Sequence, residues 1–224
     1  ANQWFAIFSC EIPKTNIINL SNERIGIDVG IENFVVLSNG EFIENPKYLI
    51  KSEKRLKTLH RRLSRKKKGS MNRRKSRFRL SKQYIKVANQ RTDFLHKLSY
   101  KIAKSYSFIV VEDLKIKNMV KNHHLAKHIN DASWNTFIGN LEYKAVISGS
   151  KFIKVNPKNT TKTCSNCGNI IDMPLAKRTL KCSCGFVCHR DLNSAINILS
   201  VGMDNAEFTP VGDTVRPSLK AIVC

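Results

Sequence analysis

The run Phe108-Ile109-Val110-Val111, which ends at the acid Glu112, is the strongest constraint on the fold. Four consecutive apolar residues leave no polar side for water, so the segment reads as a strand buried on both faces, in the centre of a sheet. Arg24 to Gly30 and Phe34 to Leu37 read as two further strands, and Ser38-Asn39-Gly40-Glu41 supplies an Asn-Gly turn into a third near Phe42 and Ile43. These three make an antiparallel meander. Phe152 to Val155 reads as one more strand. Leu56, Leu59 and Leu63 keep a helical spacing, and Ile85, Ala88, Leu95, Leu98 and Ile102 continue one after a Gly69-Ser70 break, which predicts two helices joined by a short turn. A polar stretch from Lys115 to Asn130 leads into a helix from Ala132 to Ile147, and Asp191 opens a last helix through Asn193, Ala195, Ile196, Ile198 and Leu199. The fold class is therefore α/β, a mixed sheet with helices. A chain of 224 residues suits one main domain plus a small module.

Charge narrows the partner. The chain holds 39 Lys and Arg against 17 Asp and Glu, a net charge of +22 that exceeds any need for solubility and points to a polyanion. Between Lys51 and Arg91, 18 residues are basic and only Glu53 is acidic. Within that stretch Arg61, Arg62, Arg65, Lys66, Lys67 and Lys68, then Arg73, Arg74, Lys75, Arg77 and Arg79, would repel one another on a free helix and are neutralised by a nucleic-acid backbone. Such contacts position rather than read bases. Phe78 among them is a base-stacking ring or a packing anchor. His123, His124 and His128 have only Asp131 as a nearby carboxylate and read as surface histidines.

No apolar run reaches the roughly 18 residues of a membrane span, and the opening is not a secretory leader. The expectation is a cytoplasmic protein. Of seven cysteines, five crowd into residues 164–188 while Cys10 and Cys224 stand apart, which fits a metal site in a reducing compartment better than a disulfide framework. Thr163-Cys164-Ser165-Asn166-Cys167-Gly168 and Lys181-Cys182-Ser183-Cys184-Gly185 are paired cysteine turns at a zinc-ribbon separation. Cys164, Cys167, Cys182 and Cys184 would close a tetrahedral structural zinc site. The second pair is Cys-x-Cys, one spacer residue short, so Cys188 and His189 remain alternatives to Cys182.

Three acids carry the chemistry. Ile25-Gly26-Ile27-Asp28-Val29-Gly30 sets an acid inside an apolar strand, Glu112 ends the buried strand, and Asp191 sits at a helix start. Asp28 reads either as a water-facing acid on an edge strand or as a buried charge that needs a partner or a metal. Glu112 competes with Asp113, which alternation turns to the opposite face, and Asp191 alone reads equally as a helix cap. Taken together, an acid on a first strand, one at the end of a later strand and one on a last helix follow the order of RNase H-like nucleases. Two-metal phosphodiester cleavage needs such converging carboxylates, because hard divalent ions prefer oxygen ligands.

Gly26-Ile27-Asp28-Val29-Gly30, Val110-Val111-Glu112-Asp113-Leu114 and Arg190-Asp191-Leu192-Asn193-Ser194-Ala195-Ile196-Asn197-Ile198 resemble the three RuvC motifs of the TnpB family. Its members are transposon-encoded, RNA-guided DNA nucleases, often described as transposases and related to type V CRISPR effectors. The resemblance runs from Trp4 to about Leu199 and includes the cysteine module between the second and third motifs. It implies a RuvC fold in which Asp28, Glu112 and Asp191 are catalytic and hold magnesium or manganese, with zinc in the ribbon. It also implies a prokaryotic, nucleoid-associated endodeoxyribonuclease with DNA and a guide RNA as partners. Residues 1–21 would be the end of a mostly missing N-terminal wedge-like β domain and 22–159 the RuvC core, with a basic helical insertion at about 50–104. Residues 160–188 would be the zinc ribbon, 189–201 the last RuvC helix and 202–224 an irregular tail. The rival readings are a non-cleaving, guide-directed repressor and an inactive transposon remnant; a repressor would be expected to lose one of the acids, and all three are present.

Overall fold

The computed structural model describes residue 4 and residues 6–9, 21–174 and 177–207. Its main sheet has five strands, β1 (Arg24–Val29), β2 (Asn33–Leu37), β3 (Phe42–Glu44), β4 (Phe108–Glu112) and β5 (Lys151–Val155), in the order β3-β2-β1-β4-β5. The first three pair antiparallel as the turn signal dictates, while β4 joins β1 and β5 joins β4 in parallel. Parallel neighbours need crossovers, and helices supply them. Between β3 and β4 run α1 (Tyr48–Ser64) and α2 (Met71–Ser105); between β4 and β5 run α3 (Ile116–Met119), α4 (His123–Ala132) and α5 (Trp134–Ile147). A separate hairpin, β6 (Thr179–Lys181) and β7 (Val187–His189), precedes α6 (Arg190–Glu207).

Strand alternation divides the sheet between two covers. Ile25 and Ile27 of β1 with Ile109 and Val111 of β4 face the main core, where Leu95 and Ile102 of α2 meet Phe137 and Leu141 of α5. The intervening Gly26 and Val110 face α6 instead, where Val110 and Val155 pack on Ile198. Each such buried aliphatic side chain contributes about 1.5–3 kcal/mol. Helix α6 lies unusually close to β1. A Cβ on Gly26 would stand 2.1 Å from the carbonyl oxygen of Ala195 and 2.7 Å from the amide of Leu199, so only glycine admits the helix there.

Helix α2 starts where Gly69 takes a positive φ of 82° and the Ser70 hydroxyl caps the Arg73 amide. The N-terminal part of α2 packs along α1 as a hairpin, while residues from Leu95 to Ala103 belong to the main core. One helix thus links the basic hairpin rigidly to the sheet.

Several expectations change. The polar stretch before α5 is helical, because Asn122 caps α4 and Ile129 and Ala132 give it a buried face. Ala88 is exposed, and Val87 takes the inward position. The last helix does not stop near residue 201: α6 continues to Glu207, with Gly202 lying against Val110. The rest of the expected tail, with Cys224, lies outside the described residues. Trp4 and residues 6–9 carry no strand, and the remainder of that first segment, including Cys10, is also outside them. No helix among the described residues is long and apolar enough to cross a membrane.

Candidate functional site

The parallel register pairs Ile27 with Val111, so the next positions, Asp28 and Glu112, come side by side on the face that α6 covers. Asp191 lies in the first turn of α6. Because α6 rests on Gly26, two residues before Asp28, the three acids converge from β1, β4 and α6. Electrostatics record the convergence. The Asp28 carboxyl is held well above the usual carboxylate range, first by burial and then by the charges of Glu112 and Asp191, with Arg190 and the Val29 amide opposing in part. Burial also raises Glu112, against a hydrogen bond from the Thr160 hydroxyl at 2.5 Å. A carboxylate crowded by two others is the group a divalent cation relieves, and oxygen donors suit a hard ion.

Two arginines occupy the same centre. Arg190 donates from Nε and lies 3.0 Å from Asp191 Oδ1, while Arg178, just before β6 in the cysteine module, reaches Asp191 at 3.5 Å and Glu32 at 2.9 Å. Helix α6 is capped by His189, whose Nδ1 accepts the Asp191 amide at 3.3 Å. Asp113, just past the end of β4, is exposed. The carboxylates form a looser group than the thiols do. Among the described residues, only the four cysteines bring three or more His, Cys, Asp or Glu ligand atoms within 4.8 Å of one another.

That quartet is Cys164, Cys167, Cys182 and Cys184. The sulfurs of Cys164 and Cys184 are 3.9 Å apart and those of Cys167 and Cys182 3.5 Å. A tetrahedron with Zn–S bonds of about 2.3 Å has edges of about 3.8 Å, so the thiols fit that ion. The Phe186 amide and the Asn166 side chain bring the Cys184 thiol down to about 6, while Cys167, despite the Asn169 amide, is pushed up to about 12 by its sulfur neighbours. The one-residue-shorter second turn closes without Cys188 or His189, because positive φ at Gly168 and Gly185 folds each knuckle tightly. His189 packs edge-on against Phe42 instead.

On the hairpin, Arg61 and Arg62 lie in the last turn of α1, Arg65, Lys66, Lys67 and Lys68 in the connection, and Arg73, Arg74, Lys75, Arg77 and Arg79 on the first turns of α2. All but one are exposed. Arg73 is the exception: its guanidinium donates to the carbonyls of Leu63 and Lys66 and holds the turn. The cleft between the helices is lined in addition by Lys51, Lys54, Arg55, Lys82 and Lys86. Their three- and four-residue spacings on each helix were visible in the sequence, but not that the two stripes face each other. His123 and His124 are exposed and His128 half-buried on α4. Asp131 is buried instead against Arg91 and the amide of Leu49, which ties α4 to both hairpin helices.

The architecture is that of a mixed α/β protein with an acid centre beside a four-thiol module and a basic helical hairpin. Comparison with known proteins gives the family. Residues 8–123 match the OrfB_IS605 family, described as "Probable transposase", and residues 134–198 match the Cas12f1-like TNB domain. The chain belongs to the OrfB_IS605 family, the family of TnpB-like proteins. It is 37% identical over 219 residues to a Streptomyces pristinaespiralis protein named "Putative RNA-guided DNA endonuclease", with 97% of this chain and 54% of that one covered. The similarly named InsQ of Escherichia coli K12 is 30% identical over 217 residues, covering 89% and 54%. The chain thus spans about half the length of these relatives. Among solved structures, a CRISPR-Cas12f ternary complex aligns with a TM-score of 0.60 at 23% identity over 85% of this chain and 41% of that one, which shows a shared fold.

Proposed function

We propose that the chain is the nuclease portion of an RNA-guided DNA endonuclease of a mobile element. Asp28, Glu112 and Asp191 form its catalytic centre and Cys164, Cys167, Cys182 and Cys184 its zinc site. The observation that carries this reading is the placing of Asp28 and Glu112 side by side on the sheet face that α6 covers, with Asp191 in the first turn of that helix. The meander followed by parallel strands, with acids on β1, β4 and the last helix, supports an RNase H-like RuvC core over 22–159. The basic hairpin is its insertion, 160–188 its zinc ribbon and α6 its closing helix. The names of the relatives and the fold shared with Cas12f favour guide RNA and target DNA as partners.

Magnesium or manganese held by the three acids would supply activation of water and neutralisation of the phosphodiester charge. The chain itself supplies the setting. Arg190, bonded to Asp191, fixes that carboxylate at the head of α6. Arg178 is about half exposed and lies beside Asp191, where its guanidinium can hold a phosphate oxygen of the DNA strand at the acids. Exposed cations of α1 and α2 hold backbone phosphates away from the cutting site. The thiol module, when it holds zinc, is a closed structural site and takes no part in the chemistry.

The test is magnesium-dependent cleavage of single-stranded and guide-matched duplex DNA by the chain, Asp28→Ala and Glu112→Ala. The reading expects cleavage by the chain and its loss by at least about 100-fold in both variants. Equal cleavage by the variants contradicts it.

A further inference from the structure

Thr160 connects the acid centre to the cysteine module. It is 4% exposed and lies at the start of that module, and its hydroxyl donates to Oε1 of Glu112. The same hydroxyl is 3.3 Å from the carbonyl of Pro157, but it has one proton, and the shorter contact to the carboxylate holds it. The Thr160 carbonyl is fixed in turn. Nδ2 of Asn197, on α6, donates to it at 2.8 Å and to the carbonyl of Thr163 at 2.7 Å, spending both amide protons. One helical turn earlier, Asn193 is fully buried: it donates to the Thr163 carbonyl at 2.7 Å and accepts the amide of Ser165, next to Cys164, at 2.9 Å. Two asparagines four residues apart on α6 therefore clamp residues 160–165, and α6 also carries Asp191.

Glu112 needs such a clamp. Its backbone is set by the β4–β5 register opposite Val155, but a glutamate side chain has three rotatable bonds and no rigid direction of its own. A hydrogen bond to Oε1 engages one of its lone pairs and leaves the other, with Oε2, free to bind a metal ion. We infer that Thr160 is a positioning residue for Glu112: anchored to α6 through Asn197, it aims the carboxylate at the position where Asp28 and Asp191 converge. This rests on the proposed acid centre and adds to it a route by which the cysteine knuckle, fixed to the same helix through Asn193, sets the geometry of the acids. Partners that orient a metal-binding carboxylate are worth about 10–100-fold in metal affinity.

The experiment measures Mn2+ binding by electron paramagnetic resonance to the zinc-loaded full chain. It compares the native protein with Thr160→Val, Thr160→Ser, Thr160→Ala and Glu112→Gln, each also melted thermally and assayed for zinc content. Valine keeps the shape of threonine and removes the hydroxyl; serine keeps the hydroxyl. The expected result is Mn2+ binding weakened about 10-fold or more in Thr160→Val, within about twofold of native in Thr160→Ser, and lost in Glu112→Gln, with one zinc retained throughout. Native affinity in Thr160→Val or Thr160→Ala while Glu112→Gln has lost it overturns the positioning role and leaves the acid centre standing. Native affinity in Glu112→Gln overturns the acid centre itself. If Thr160→Val fails to fold, the serine and alanine variants decide: equal affinities overturn the role, and loss in alanine alone supports it.

Discussion

Replacing Gly26 with alanine should disturb the candidate site without touching an acid. In an ordinary strand the change is neutral or favourable, since alanine restricts the unfolded chain and stabilises by about 0.4–1 kcal/mol. Here the added methyl would sit 2.1 Å from the Ala195 carbonyl oxygen, 2.7 Å from the Leu199 amide and 2.8 Å from Leu199 Cβ. Two of those three are main-chain atoms that no rotamer change can move. Restoring an ordinary contact of 3.4 Å requires α6 to withdraw by about 1.3 Å, roughly the scale at which overpacking costs 1–3 kcal/mol. For a chain of this size each kcal/mol lowers Tm by about 2–4 °C, so a fall of about 2–12 °C is expected. Asp191 rides on α6, and its displacement by about an ångström from Asp28 should lower any cleavage rate about 100-fold. Circular dichroism melts and the cleavage assay read the two effects. A Gly26→Ala chain that melts at or above the native temperature would refute the close approach of α6.

Asp28→Asn should stabilise the metal-free chain at neutral pH while abolishing divalent-ion binding. The folded carboxyl titrates above its unfolded value, so ionisation opposes folding as pH rises through that interval, and the opposition is absent below the ordinary carboxylate range. The gain in Tm should therefore be present at pH 7 and vanish near pH 3–4; a pH-independent difference would rule out the electrostatic cause. Cys164→Ser should lower zinc content from one ion per chain to none and Tm by several degrees, while Cys188→Ser should keep the ion, as metal analysis will show. Joint replacement of the exposed Lys54, Arg62 and Lys86 by glutamine should leave Tm unchanged. It should flatten the salt dependence of nucleic-acid binding by about two to three units of slope, measured by fluorescence titration at several salt concentrations.

The sheet was legible because local signals agreed with the fold. The Asn-Gly turn, the apolar run to Glu112 and the strand alternation each depend on a few neighbouring residues, and β1 to β5 stand where those signals fall. Cys164, Cys167 and Cys184 of the quartet were legible from spacing, which left Cys188 and His189 open beside Cys182 until the fold brought Cys182 to the other three. Helix α4 was not, because its buried face rests on few residues, Ile129 and Ala132 among them, set between histidines, lysine and asparagine that read as loop composition. The extension of α6 past residue 201 was not legible, because glycine is a poor helix former and the place of Gly202 against Val110 appears only in the packing. Arg178 and Thr160 carry no local mark: their roles come from elements more than a dozen residues away, Asp191 for one and Glu112 for the other. Sequence named the three acids but not the arginines held against Asp191: Arg190 is its neighbour on α6, and Arg178 reaches it because the β6–β7 hairpin packs on α6.

The central claim is that Asp28, Glu112 and Asp191 together hold divalent metal. Crystals of the chain soaked in Mn2+ and measured for anomalous scattering test it most directly. The account predicts manganese peaks ligated by all three carboxylates, with the Arg178 guanidinium drawn off Asp191, and no such peaks in Asp28→Ala. Manganese absent from the three acids, or retained unchanged in Asp28→Ala, would contradict it.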